Sequence, residues 1–304
     1  MKNLSLYTTI SVLVLMASCV ASKKAPGLAF PVFDTEAHRG GKGLMPENTI
    51  PAMLNAIELG VSTLEMDLQI SKDKKVIVSH DPYFNHNFTT TPEGKFLSAA
   101  ESRKLLLYNM DYSNIKRYDV GLKYYPDYPQ QKKIAVHKPL LADLIDAAEK
   151  YAAGKGRKML YNIEIKSNRK NDGINHPPVA EFVDLAMKVI LQKGIGARTI
   201  IQSFDPRALI IMRRKYPAVA TSLLIEGSDK RSLDEQLHEI GFVPVVYSPH
   251  HSLVTRELIE ACHAKNMKVV PWTVNDVSRM KTLIALKVDG IISDYPNLFA
   301  EALH

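Results

Sequence analysis

Short apolar runs alternate along this chain with segments whose apolar residues recur every three or four positions. The alternation persists from about residue 32 to the C-terminus. The short runs predict strands at 32–37, 63–70, 76–80, 159–165, 199–204, 220–225, 243–247, 268–274 and 290–294, because β-branched and aromatic residues crowd them. The longer periodic segments predict helices at 49–59, 139–153, 178–193, 206–216, 230–239, 254–265 and 277–286, with a short terminal helix after them. Pro46-Glu47-Asn48 precedes the first helix and Gly60 follows it, a start and a stop signal. Strands alternating with helices over this length predict a (β/α)8 TIM barrel. An open doubly wound sheet is the rival that the pattern does not exclude.

Nine strand candidates are one too many for such a barrel. The link 71–75 is polar and too short for a crossover helix, so 63–70 and 76–80 are expected to form a hairpin, with 76–80 the extra antiparallel piece. That register places His80 nearly opposite Asp67. Residues 84–138 break the alternation, holding six tyrosines, several prolines and no clear period. They are expected to form a small inserted subdomain at the mouth, either functional or packed for stability.

The N-terminus follows another pattern. Lys2, an apolar stretch at 10–16 and then Ala17-Ser18-Cys19 have the order of a secretion signal. The apolar stretch is too short to span a membrane as a mature helix. Cys19 directly after small residues resembles the bacterial lipobox, although Met16 departs from the usual Leu, Val or Ile. The expected division is a lipoprotein-type signal at 1–18, lipidation of Cys19, a tether at 19–31 and a barrel at 32–304 with its insertion at 84–138. The alternative is an ordinary signal cleaved nearby. The expected location is the periplasmic side of a bacterial membrane, lipid-anchored, or the periplasm if Cys19 carries no lipid. Cys262 is the only other cysteine, so the folded body has no internal disulfide. Its place in a helical pattern predicts a small buried core residue.

At 46% hydrophobic and 23% charged, 304 residues can bury a core without staples. The formal charge of +7 is mild, and the lysines come in scattered pairs rather than a stripe interleaved with aromatics. Nucleic acid is therefore not an expected partner. Attraction to anionic phospholipid headgroups is compatible with the charge.

Chemistry-bearing residues collect in and beside the strand runs. Glu65 and Asp67 are two apart, so both face one side of their strand. Glu164, between Ile163 and Ile165, points inward by the same alternation. Acids facing a barrel interior need a cation or bases to meet them. Three oxygen donors without cysteine favour a hard ion, Ca²⁺ or Mg²⁺. His38 and His80 each end a strand and suit acid and base work near neutral pH, with zinc ligation as the rival role. Arg39 and Lys166 suit a phosphate. No Gly-x-Ser-x-Gly elbow and no Walker loop are present.

The ordered set His38-Arg39-Gly40, Pro46-Glu47-Asn48-Thr49, Glu65-Met66-Asp67, His80-Asp81, Asn162-Ile163-Glu164-Ile165-Lys166, Gln202-Ser203-Phe204, Trp272-Thr273-Val274-Asn275 and 289–296 resembles the glycerophosphodiester phosphodiesterases. The resemblance runs from about residue 33 to the C-terminus. It implies metal-dependent hydrolysis of glycerophosphodiesters to glycerol 3-phosphate and an alcohol, through a cyclic phosphate. It implies one divalent cation held by Glu65, Asp67 and Glu164, and His38 and His80 as the catalytic pair, with His80 the first base and His38 the acid. It also implies that Arg39 and Lys166 grip the phosphate, that Glu47 orients Arg39 and that Trp272 walls the glycerol pocket. The insertion departs from the family pattern in its run at 124–129, which bears on the alcohol and not on the reaction. Alternatives of other kinds are a related phosphodiester lyase or phospholipase, a non-catalytic lipid-anchored binding protein and a glycoside hydrolase that uses the acids without a cation.

Overall fold

The structure, a computed structural model, describes residues 28–304. The expected signal and Cys19 lie outside the described residues. Nine strands form one sheet: β1 (Asp34–Ala37), β2 (Thr63–Ile70), β3 (Val76–Val78), β4 (Leu160–Ile165), β5 (Thr199–Ser203), β6 (Ala220–Ile225), β7 (Val246–Pro249), β8 (Lys268–Val269) and β9 (Gly290–Ser293). Eight run parallel in the order β8-β7-β6-β5-β4-β2-β1-β9, and β3 pairs antiparallel with β2. The ends of this order meet: Asp289 N–H donates to Val269 O at 2.9 Å, Ile292 N–H to Pro271 O at 3.0 Å and Val274 N–H to Ile292 O at 3.0 Å. The fold is thus the expected (β/α)8 barrel and not an open sheet.

The helices cover the outside. They are α1 (Ile50–Glu58), two one-turn pieces α2 (Ala99–Ser102) and α3 (Tyr112–Ile115), α4 (Leu141–Gly154), α5 (Val179–Gln192), α6 (Pro206–Lys215), α7 (Leu233–Ile240), α8 (Arg256–Ala264), α9 (Val277–Ala285) and α10 (Phe299–Ala302). Their apolar stripes pack on the outward residues of the strands. In β2, Leu64, Met66, Leu68 and Ile70 turn to the helices while Thr63, Glu65, Asp67 and Gln69 turn inward, so the strand is buried on both faces. Cys262 is buried in this helix–sheet core.

Two elements differ from the sequence reading. The strand expected at 243–247 begins at Val246: Pro244 has no N–H to give a ladder, and Val243 is left exposed. The strand expected at 268–274 is regular only at Lys268–Val269, because Pro271 interrupts it. The segment stays extended and bonded to both neighbours, with Val270 N–H on Tyr247 O and Trp272 N–H on Pro249 O. The hairpin forms as expected, with His80 nearly opposite Asp67. Ser79 N–H donates to Asp67 O at 2.9 Å, so His80 lies one position beyond Asp67's partner.

The insertion is compact. Phe84, Phe88, Leu107, Ile115 and Val120 form a core with Ile77, separate from that of the barrel, and Phe84 stacks on Tyr118 at 4.1 Å. Inside the barrel, Ile200, Val246, Val270 and Ile292 fill one half, with Leu28 and Phe30 packed against them. Residues 28–31, read from sequence as the end of the tether, therefore include two side chains that join the fold.

The insertion's core makes a stability prediction. Phe84→Ala removes its largest fully buried side chain and should lower unfolding free energy by about 3–5 kcal/mol, measured as the shift of a urea midpoint. A shift under a third of that would mean the subdomain does not fold cooperatively with the barrel.

Candidate active site

The other half of the barrel interior is polar. Register aligns Asp67 of β2 with Glu164 of β4, and Glu164 with Gln202 of β5, so their side chains meet near the C-terminal ends of the strands. Glu65, Asp67 and Glu164 are buried and offer ligand atoms that all lie within 4.8 Å of one another. The structure thus brings together the three acids the sequence singled out.

Local chain geometry delivers the cations. After β1, Arg39 (φ 52°), Gly40 (φ 79°) and Gly41 (φ 87°) turn in the left-handed region. A Cβ on Gly40 would sit 2.7 Å from Ala52 Cβ, so the turn lies flat on α1. This turn points the Arg39 N–H at Glu65 Oε2 (2.6 Å) and its guanidinium at Glu47 Oε1 (Nη1, 3.0 Å) and Asp67 Oδ2 (Nε, 3.3 Å). Lys166, just past β4, is 3.0 Å from Glu164 Oε1 and 3.7 Å from Asp67 Oδ1. Asn48 donates to Asp67 Oδ2 at 2.8 Å.

These contacts divide the acids electrostatically. Burial pushes the Glu65 carboxyl well above its ordinary pKa, and Asp67 beside it adds to the rise. Burial also raises Glu164, to about 7, against the pull of Lys166. Burial acts the same way on Asp67, but Lys166 and Arg39 outweigh it and hold that carboxyl below the usual range. Three oxygens competing for too little positive charge are a fitting seat for a hard divalent cation.

The two histidines flank this cluster. His38 Nδ1 lies 2.6 Å from Asp294 Oδ1, just past β9, leaving Nε2 as the free ring nitrogen. Burial lowers His38 to about 4, and Asp294 only partly opposes this. Asp294 is itself held by Asn275 Nδ2 (2.8 Å) and by the Tyr128 hydroxyl of the insertion (3.2 Å). His80 Nδ1 is 3.0 Å from Asp81 Oδ1, and Asn85 donates to the other Asp81 oxygen. A cavity of about 490 Å³ joins His38, Arg39, Glu65, His80, Glu164 and Lys166 to an apolar wall of Trp272, Phe204, Leu224 and Ile292. Phe204 meets Trp272 edge to face at 5.4 Å. Glu47 does not line the cavity and reaches it through Arg39.

Sequence reasoning assigned no role to Asp294, Asn275, Gln202, Phe204 or Tyr128. Asp294 had a visible signal, an acid directly after a strand in the same position that drew attention to His38 and His80. Tyr128 had none, since it comes from a segment without period. His250 meets Trp272 edge to face at 5.3 Å with His251 beside it, and neither histidine lines the cavity.

The family model for the glycerophosphoryl diester phosphodiesterases matches residues 38–298. The chain belongs to this family. Among its relatives, a glycerophosphodiester phosphodiesterase of Bacillus subtilis is 28% identical over 269 residues, covering 87% of this chain and 84% of its own. One from Caldanaerobacter subterraneus is 30% identical over 262 residues, covering 86% and 93%. Among solved structures, a glycerophosphoryl diester phosphodiesterase from Silicibacter pomeroyi superposes with a TM-score of 0.79 at 27% identity, covering 92% and 95%. A phosphodiesterase from Oleispira antarctica, solved with the product sn-glycerol-3-phosphate, gives 0.69 at 22% identity, covering 90% and 97%.

Beneath the acids of this phosphodiesterase-family barrel, a hydrogen-bond relay runs down the interior. Gln202 Nε2 donates to Glu65 Oε1 (2.8 Å), Asn162 Nδ2 donates to Gln202 Oε1 (3.1 Å) and to Glu36 Oε2 (2.8 Å). Glu36 and Asp34 are fully buried on one face of β1, and each has one oxygen without a donor. Burial raises both, so one proton shared between them would supply what is missing. Glu36→Gln keeps an acceptor for Asn162 and gains a donor for Asp34, so it should cost under about 1 kcal/mol. Glu36→Leu strands both groups and should cost about 1–3 kcal/mol or more in denaturant unfolding. Equal losses would refute the shared proton.

Proposed function

We propose that this chain hydrolyses glycerophosphodiesters to glycerol 3-phosphate and an alcohol, using one divalent cation, Ca²⁺ or Mg²⁺, held by Glu65, Asp67 and Glu164. The observation that carries this reading is the buried acid trio, short of positive charge, with Glu65 and Glu164 lining one cavity that also holds two histidines and the Arg39 and Lys166 cations. The cation, when bound, offsets negative charge on the phosphoryl oxygens.

The remaining work falls to side chains. Arg39 is held by Glu47 and Lys166 by Glu164, so both present fixed charge to the phosphate oxygens. His38 is neutral near pH 7, its Nδ1–H faces Asp294, and its Nε2 is free to take the proton of the glycerol 2-hydroxyl. That hydroxyl oxygen attacks phosphorus, the bond to the other alcohol breaks, and His80 gives its proton to the departing oxygen. Water then opens the cyclic phosphate: His80 takes the water proton, and His38 returns its own to the 2-oxygen. The resemblance implies the opposite split, His80 as first base. Burial of His38 beside Asp294 instead favours His38 in that role. The Trp272–Phe204 wall suits the glycerol carbons. We propose further that the chain is exported and held on the periplasmic side of a bacterial membrane through a lipid on Cys19, as its N-terminal pattern suggests.

Four measurements test the reading. His38→Ala and His80→Ala should each lower kcat about 10²–10⁴-fold, and phosphorus NMR should show the cyclic phosphate only transiently; its persistence would favour a lyase. Chelator should abolish turnover and added Ca²⁺ or Mg²⁺ restore it; chelator-resistant turnover would remove the cation from the reaction. Glu164 is raised to about 7 in the cation-free protein, so it binds more protons folded than unfolded between its ordinary value and 7. Its burial therefore costs stability progressively as pH rises through that window. Cation binding relieves that cost, so the melting-temperature gain on adding cation should be larger at pH 8 than at pH 5.

A further inference from the structure

We infer that the floor of the barrel, the face opposite the catalytic mouth, docks on an anionic phospholipid surface, which leaves the mouth open to water and to soluble diesters. The docking surface stands on its own observations; the consequence for substrates rests on the proposed phosphodiesterase reading.

Charge is the first observation. The floor consists of the loops that carry each helix into the next strand: 58–62, 153–159, 191–198, 213–219, 239–245, 263–268 and 285–289. Eleven of their residues are Lys or Arg and three are Asp or Glu. The whole chain has 39 basic and 32 acidic residues, and Lys2, Lys23 and Lys24 precede Leu28. Outside the floor, residues 28–304 are therefore acidic on balance. Ion pairs tie up several floor cations, among them Lys155 with Glu58 and Lys268 with Asp289. Lys158, Arg213, Arg214 and Lys287 have no acidic partner among the described residues.

Apolar exposure is the second. Leu59, Leu191, Val243 and Val245 stand on the same face at 40%, 51%, 51% and 39% exposure. Beside them a groove of about 290 Å³ is lined by Leu28, Pro217, Ala218, Phe242 and Val243, with Arg213 at its edge. Cations at helix C-termini are favoured by the helix dipole alone. That effect gives no reason for aliphatic side chains standing in water among them. Apolar residues fringed by unpaired cations suit a lipid headgroup layer over a hydrocarbon edge.

Chain entry is the third. The described chain begins at this floor, where Leu28 and Phe30 pack against the barrel interior and Phe30 lies 5.7 Å beneath Lys268 Nζ. Cys19 is nine residues before Leu28, a reach of at most about 30 Å. An acyl group there would hold the floor, and not the mouth, against the bilayer.

The test uses protein carrying Cys19→Ser, so that no acyl chain assists. It should cosediment with phosphatidylglycerol vesicles and not with phosphatidylcholine vesicles, and salt should release it. Reversing Lys158, Arg213, Arg214 and Lys287 to Glu should weaken that binding at least about a hundredfold, with an unchanged melting temperature. Equal binding to neutral vesicles, undiminished binding of the reversed variant, or no binding at all would overturn the docking surface; self-association without vesicle binding would assign the face to a second copy of the chain. Bound to saturating vesicles, the protein should hydrolyse a soluble glycerophosphodiester at its free rate. Strong inhibition by the vesicles would overturn the orientation. A protein that binds through its floor yet hydrolyses nothing free in solution would instead sink the phosphodiesterase reading and leave the surface standing.

Discussion

Three carboxylates buried within 4.8 Å of one another are the constraint around which this barrel is arranged. Inside a protein such a group cannot stay fully ionised without help, because desolvation and mutual repulsion both favour protonation. The chain answers with placed charge, Arg39 and Lys166 from two strand ends, and with neutral donors, Asn48 from the turn before α1 and Gln202 from β5. Those groups leave Glu65 and Glu164 raised, so the site remains short of cation. The deficit is what makes it receptive. A barrel filled with aliphatic side chains would be more stable and would have nothing to offer a phosphate.

Much of this was legible in the sequence because strands have a period of two. Glu65 and Asp67 had to share a face, and the parallel register put Glu164 beside Asp67. Glycine and proline marked several element boundaries, and the β2–β3 hairpin was recoverable from the short polar link. Pro244 and Pro271 were visible too, but reading through them as strand overlooked the amide each lacks. What stayed hidden depends on long-range closure. Asp294 meets His38 across the β1–β9 pairing, 256 residues apart, and Tyr128 reaches Asp294 from a segment whose own sequence has no period. Neither partner can be named until the barrel is closed and the insertion folded.

The insertion combines the two roles that its sequence left open. Its aromatic cluster packs for stability, and Lys138 lies buried at its base on Ser79 Oγ at 2.8 Å. Its far edge reaches the mouth, where Gln131 caps the carbonyl of Lys42 and Tyr128 steadies the acid that orients His38. A subdomain that looks peripheral thereby reaches the acid partners of both histidines, through the Tyr128 phenol at Asp294 and the Asn85 amide at Asp81.

The closing seam has a consequence for how the mouth behaves in time. Most neighbouring strands share regular ladders, but 268–274 is joined to both of its neighbours, 246–249 and 289–292, largely by single amide bonds around a proline. Trp272 stands on one side of that join and Asp294 at the end of the other. Opening of that join would move the Trp272 indole and the Asp294 partner of the His38 imidazole together, so the apolar wall and the orientation of that ring are mechanically linked through one short run of amide bonds.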